Sequence, residues 1–200
     1  MSKRKSKILP KQLLFLLESK GDVNRALKSL LDSEFERIRK TWLYSENLLP
    51  AVRKFVERDG KRIRPSLAIL IYKAFSGTKD SQIITASLST ELMHDSFIIH
   101  DDLYDHIPGQ LGTRRGGKVL HLTYEEDFLK KNAGKDSNWH PETFAKHATV
   151  ASAHLLLSIG ARTIYQSHFP ESLKARALAA YWNTIEETWI GQGNGHTFKG

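Results

Sequence analysis

The chain has 200 residues and a mass of 22.8 kDa, with 40% hydrophobic and 26% charged side chains, enough for one domain with a substantial core and too balanced for disorder over most of its length. No apolar run reaches the roughly 18 residues that a membrane-spanning helix needs. With no cysteine there is no disulfide scaffold, thiolate metal site or cysteine nucleophile, which fits a cytoplasmic location. The net charge of +8 points to anionic partners: nucleic acid, acidic lipid or phosphorylated small molecules.

Residues 1–12 read as a basic, flexible head carrying Lys3, Arg4, Lys5, Lys7 and Lys11, ahead of a single helical domain over 13–200. Leu13, Leu14 and Leu17 begin a helical pattern. Gly21 and an N-capping Asp22 then predict a second helix through Ala26, Leu27, Leu30, Leu31, Phe35 and Ile38. A third helix covers about 48–58. A fourth starts at Pro65, runs to about Phe75 and ends at Gly77. A long fifth helix spans about 81–105 and stops at Pro108-Gly109, before a Gly-rich loop through Gly117. Residues 125–140 read as a polar loop or insert. Pro141 opens a helix to about Ser167, and another runs from Glu171 to Ile190, where Gly191, Gly193 and Gly195 break the helical pattern. No strand pattern stands out, and the fold class is all-α, a helical bundle.

The end of the fifth helix carries the chemistry. Asp101 and Asp105 are four residues apart, so their carboxylates share a face at roughly 5–6 Å between Cβ atoms. Asp102 lies beside them, and His94 points the same way two turns earlier. Carboxylates this close need a cation, and a hard divalent ion such as Mg²⁺ suits oxygen ligands combined with substrate phosphates. Cations flank them: Lys61, Arg62 and Arg64 at a helix start, and Arg114, Arg115 and Lys118 after the Gly-rich loop. Helix N-termini and guanidinium forks both favour phosphate. A mixed His/Asp transition-metal site including His100 and His106 is the alternative at the aspartates. His140, His147 and His154 recur every seven residues but read as ordinary surface or core histidines, and Trp182 and Trp189 as a core or dimer stripe. Gly191 to Gly195 is no dinucleotide fingerprint, since no strand precedes it.

Taken in order, Gly60-Lys61-Arg62-Ile63-Arg64-Pro65, Glu91-Leu92-Met93-His94 leading into Asp101-Asp102-Leu103-Tyr104-Asp105, Arg114-Arg115-Gly116 and, more weakly, Gly191-Gln192 resemble the trans-isoprenyl diphosphate synthase (polyprenyl synthetase) family. The resemblance implies an isoprenoid-synthase bundle. It implies that Asp101, Asp102 and Asp105 hold Mg²⁺ ions that bind an allylic diphosphate and, with Arg114, form the catalytic set. Lys61, Arg64, His94, Arg115 and Gln192 would bind substrate, chiefly the diphosphate of isopentenyl diphosphate, and Arg114 would touch the allylic one. The implied reaction is ionisation of the allylic substrate, attack by the isopentenyl double bond and loss of a proton to pyrophosphate. Phe97, one turn below Asp101, would floor the chain tunnel and give a C15–C20 product; the alternative is that Phe97 is a core residue and that Ser96 beside it leaves room for a longer chain.

The family pattern is not matched throughout. A second aspartate-rich motif is expected downstream and the sequence reaches Gly200 without one, so the chain reads as an N-terminal portion of a longer synthase. Ala153-His154 stands where relatives carry Gly-Asp, and Gly193-Asn194-Gly195 where an aspartate usually comes after Gly-Gln. The resemblance also implies a homodimer, or a complete-synthase partner. The alternative function is a non-catalytic or regulatory subunit of a heteromeric prenyl synthase. A basic helical nucleic-acid binder, resting on net charge alone, ranks last, and no nucleic-acid partner is expected.

Overall fold

The computed structural model describes residues 11–41, 45–75, 77–78, 80–105, 112–134 and 139–197. Seven α-helices are seen among them: α1 (Lys11–Thr41), α2 (Leu49–Val56), α3 (Ile63–Ala74), α4 (Asp80–Tyr104), α5 (Leu120–Lys131), α6 (Pro141–Tyr165) and α7 (Glu171–Thr197). A short hairpin, β1 (Thr113–Arg114) and β2 (Gly117–Lys118), lies between α4 and α5. The bundle is all-α as expected. The central helix α4 packs against α6, α3 and α1, with α5 and α7 laid on α6. No helix among the described residues is long and apolar enough to cross a membrane.

Four expectations give way to tertiary packing. The predicted break at Gly21 does not occur, because the buried stripe of Val23, Leu27, Leu31 and Phe35 continues back to the partly buried Phe15 at four-residue steps. One glycine costs a helix only about 1 kcal/mol, less than such a stripe returns on burial. Asp22 does not cap; its carboxylate takes the Arg25 guanidinium one turn on. The first part of the polar stretch, Glu125 to Lys131, belongs to α5, since Leu120 and Tyr124 are buried one turn apart on its inner face. The Tyr124 hydroxyl donates to the Leu48 carbonyl (3.0 Å) and meets Ser152 Oγ at 2.6 Å, tying α5 to the head of α2 and to α6. Likewise α7 runs on through Gly191, Gly193 and Gly195 to Thr197.

The hairpin is the fourth. Its strands are two residues each, too short to leave an alternating pattern. What makes it is the turn: Arg115 (φ 49°) and Gly116 (φ 72°) are both left-handed, as a two-residue type I′ connection requires. Arg58 braces it from below, donating to the carbonyls of Arg114 (3.2 Å) and Lys118 (2.8 Å). A Cβ on Gly117 would stand 2.5 Å from the Arg58 guanidinium carbon.

The junction of α1, α2, α3 and α4 is held by one arginine. Arg62, at positive φ (51°) just before α3, turns inward. Its guanidinium donates to Glu91 Oε1 on α4 (2.6 Å), to Asn24 Oδ1 on α1 (2.9 Å) and to the carbonyls of Val56 and Arg58 (2.9 Å each). Both side chains of the ion pair are sealed, 1% and 3% exposed. Breaking a buried pair by removing one partner leaves an uncompensated charge and costs about 3–5 kcal/mol. Arg62→Met should therefore lower the free energy of unfolding by about 3–5 kcal/mol in urea denaturation, with the transition still cooperative. A loss under about 1 kcal/mol would show that the network is not structural.

Candidate active site

Because Arg62 is spent on the core, its two neighbours are set outward. Lys61 and Arg64 are exposed at the head of α3, and the Arg64 charge reaches His94 on α4. His94 is half-buried and its imidazole is pushed down to about 4, first by burial and then by the Arg64 charge, with Arg115 and Arg114 adding to it and Glu91 opposing. Cations from α3 and from the hairpin thus reach one imidazole, which is neutral at pH 7.

The hairpin sends its adjacent arginines to different places. Arg114 Nε donates to Asp102 Oδ1 (2.8 Å), its Nη2 contacts the same oxygen, and Nη2 lies 3.5 Å from Asp101 Oδ2. Arg115 reaches back along α4, with Nη1 3.0 Å from Asp95 Oδ1 and Nη2 4.0 Å from Glu91 Oε1. Asp102 is nearly buried, with a side chain 6% exposed against 46% for Asp101, while Asp105 is exposed and adds to the field at Arg114. Asp102 Oδ2 is buried with no hydrogen-bond partner among the described residues. That open oxygen and the all-oxygen donor set of Asp101, Asp102 and Asp105 fit a hard divalent cation. Among the described residues no three acidic or imidazole groups gather round one point, and Arg114 supplies the counter-charge between Asp101 and Asp102.

Next to the aspartates is a cavity of about 210 Å³, lined by His94, Phe97, Ile98, His100, Asp101, Thr188, Trp189 and Gln192. Gln192, which the sequence offers only through the weak Gly-Gln match, comes into the site because α7 stays helical past Gly191. His100 is turned inward: its Nδ1–H donates to the Ser96 carbonyl (3.0 Å) and its ring packs edge-on to Trp189 (4.5 Å) and near His154 (5.5 Å). His106 lies outside the described residues. Trp189 also meets Phe97 edge-on at 5.9 Å, while Trp182 is half exposed, so the two tryptophans do not form one core stripe.

Phe97 and Met93 pack with Leu157, Ile164, Tyr181 and Ile185. Beyond Met93 opens a larger apolar cavity of about 450 Å³ between α3, α4, α6 and α7, bordered on α4 by Ile83, Ala86, Thr90 and Met93. Phe97 thus lies between the two spaces. Ser96 lines neither of them and is fully buried. Two residues at this site went unread in the sequence. Asp95 had a signal, a carboxylate one turn after Glu91 on a helix whose next residues, Phe97 to Ile99, are apolar. Arg58 had none, because its role exists only once the hairpin is folded over it.

An all-α bundle with acid and arginine clusters at the end of one central helix defines a class, and comparison places the chain within it. Residues 45–195 match the polyprenyl synthetase family, and the chain belongs to that family. It is 35% identical to the geranylgeranyl diphosphate synthase of Methanosarcina mazei over 81 residues, which cover 40% of this chain and 24% of that one. It is 34% identical to the short chain isoprenyl diphosphate synthase of Methanothermobacter thermautotrophicus over 108 residues, 52% of this chain and 30% of that one. The fold superposes on the geranylgeranyl pyrophosphate synthase from Corynebacterium glutamicum, complexed with isoprenyl diphosphate and magnesium, with a TM-score of 0.74 at 24% identity. That match covers 92% of this chain and 52% of the other, so the chain spans about half the length of the solved structure it resembles.

The neighbouring His94 and Asp95 titrate in opposite senses. His94 is depressed to about 4 from 6.5, so its contribution to stability is present above pH 6.5 and is lost as pH falls through 4. The Asp95 carboxyl is raised to about 7 from 3.8, first by burial and then by Glu91, against the pull of Arg115 and Arg62. Its contribution is full below pH 3.8 and is lost as pH rises through 7. An NMR titration should find the His94 midpoint near 4, moved upward by Arg64→Gln. A midpoint near the ordinary 6.5 in both proteins would place the imidazole in solvent, away from these cations.

Proposed function

We propose that the chain carries out prenyl transfer, condensing isopentenyl diphosphate with an allylic diphosphate to a short-chain isoprenyl diphosphate of the C15–C20 class. The observation that carries this reading is the division of labour at the hairpin: Arg114 goes to Asp102 and Asp101, Arg115 to the His94 side of α4. Two diphosphates need two such sites within reach of each other, and family membership and the short-chain relatives point the same way.

Lys61, Arg64, His94 and Arg115 would hold the isopentenyl diphosphate by charge and hydrogen bonding, with the neutral imidazole able to donate one hydrogen bond without a proton being taken up first. Asp101, Asp102 and Asp105 would hold Mg²⁺, whose chemistry when bound is to neutralise and polarise the allylic diphosphate. Arg114 adds fixed positive charge where the leaving pyrophosphate gathers negative charge, and Gln192 offers a further polar contact in the cavity. Phe97 and Trp189 wall the space next to the aspartates with apolar surface, excluding water from a developing allylic cation. No nucleophilic side chain is needed, because the attacking electrons come from the isopentenyl double bond and the proton leaves to pyrophosphate. Phe97 would limit how far the product reaches toward the larger cavity. A homodimer and a cytoplasmic location belong to the same reading.

Incubated with Mg²⁺, isopentenyl diphosphate and an allylic diphosphate, the full chain should form a longer isoprenyl diphosphate, resolved by chromatography, and Asp101→Ala with Asp105→Ala should abolish it. Unchanged product from the double variant would overturn the assignment. Phe97→Ala should lengthen the product distribution by opening the first cavity toward the second. An unchanged distribution would make Phe97 a packing residue only.

A further inference from the structure

Asp95 is fully buried on α4, immediately after His94, and it contacts neither the Asp101–Asp105 cluster nor Lys61 or Arg64. Apart from the ion pair with Arg115, neither of its carboxylate oxygens has a hydrogen-bond partner among the described residues. A carboxylate in that position is costly to keep unless its partner matters.

Two carboxylates face Arg115, and they are not equivalent. Glu91 lies 4.0 Å away and is already committed to Arg62 at 2.6 Å. Asp95 lies 3.0 Å away and has no other cation in contact among the described residues. Asp95 is therefore the counter-charge that belongs to Arg115. The backbone points the same way. Arg115 sits at positive φ in a tight turn whose strands are pinned by Arg58, so its main chain is placed before any ligand arrives, and Asp95 fixes the far end of the side chain.

We propose that Asp95 is a positioning residue for diphosphate binding: it holds the Arg115 guanidinium against α4, beside His94, so that an incoming diphosphate meets a cation already oriented. The proposal rests on the reading of Arg115 as a diphosphate ligand. A guanidinium fixed in advance spares the rotamer entropy that a free arginine loses on binding. The burial that pushes the Asp95 carboxyl up to about 7 means that the pairing is fully charged only on the alkaline side, so pH 8 is the condition for testing it.

The test is calorimetric titration of the full chain with inorganic pyrophosphate at pH 8 in metal-free buffer, where the aspartate side takes no part. Four proteins are compared: unsubstituted, Asp95→Asn, Arg115→Gln and the double variant, each checked for folding by circular dichroism. Both single substitutions should weaken pyrophosphate binding about tenfold. The double variant should bind no more weakly than Arg115→Gln alone, because Asp95 acts through the arginine. Equal losses from Asp95→Asn in both backgrounds would overturn the proposal, as would unchanged or tighter binding by Asp95→Asn. If Arg115→Gln alone leaves affinity unchanged, the reading of Arg115 as a ligand fails, and the proposal with it. No binding by the unsubstituted chain refutes both. Should Asp95→Asn not fold, Asp95→Ser in the same cycle gives the same readout.

Discussion

Glu91 is the point on which the described structure turns. The described residues include two non-glycine residues at positive φ, Arg62 and Arg115, and both guanidinium groups reach this one buried carboxylate. A left-handed backbone costs a residue with a Cβ about 1–2 kcal/mol, so each must be held there by something stronger. Arg62 is held by four hydrogen bonds to α1, α4 and the end of α2. Arg115 is held by the hairpin that Arg58 pins and by the acidic face of α4. With Arg62 committed inward, Lys61 and Arg64 must face out, and with Arg115 drawn back along α4, Arg114 alone meets the aspartates.

The consequence is a cluster of charges whose arrangement is set by the fold itself. His94 is neutral because burial and the surrounding cations disfavour a further positive charge. Asp95, next to it, resists ionising because burial outweighs its arginine. Two adjacent residues on one helix thus lean toward their neutral forms, both first through burial, with the surrounding cations adding to it at His94 and Glu91 adding to it at Asp95. Such opposed shifts at a cavity mouth are a mark of functional sites, although ion-pair networks produce them too. Here the two accounts meet, since the structural network of Arg62 and Glu91 is what sets the positions of the binding cations.

Much of this was legible along the chain. The helices that bury a wide stripe, α4 and α6 above all, are traceable to periodicity, and Pro141 marks the start of α6 at the first helical position. Asp101, Asp102, Arg114, Arg115 and His94, which the motifs single out, lie within reach of one another in the fold. The errors fall where local signals are weak or are outvoted. Gly21 and the glycines from 191 to 195 punctuate a sequence but do not end a helix whose flanks are packed or helical already. The stretch from Glu125 to Lys131 is polar to the eye, yet Tyr124 and Leu120 anchor it. A hairpin of two-residue strands has no period to detect, and its turn is visible only as Arg-Gly at the middle of a basic run.

What the sequence determined by itself is chemistry: which carboxylates can share a helix face, which cations can meet phosphate, and that no thiol takes part. Residue type and spacing suffice for that, because a helix places positions three and four apart on one side whatever it packs against. What only the tertiary structure decided is which member of each charged run is spent on the core. Lys61, Arg62 and Arg64 look alike in the sequence, as do Arg114 and Arg115. Their separation into core and site depends on where α1, α4 and the hairpin come to lie, and a buried carboxylate such as Glu91 or Asp95 must claim the guanidinium that reaches it, since leaving its charge unpaired away from water would cost more than any exposed arrangement returns.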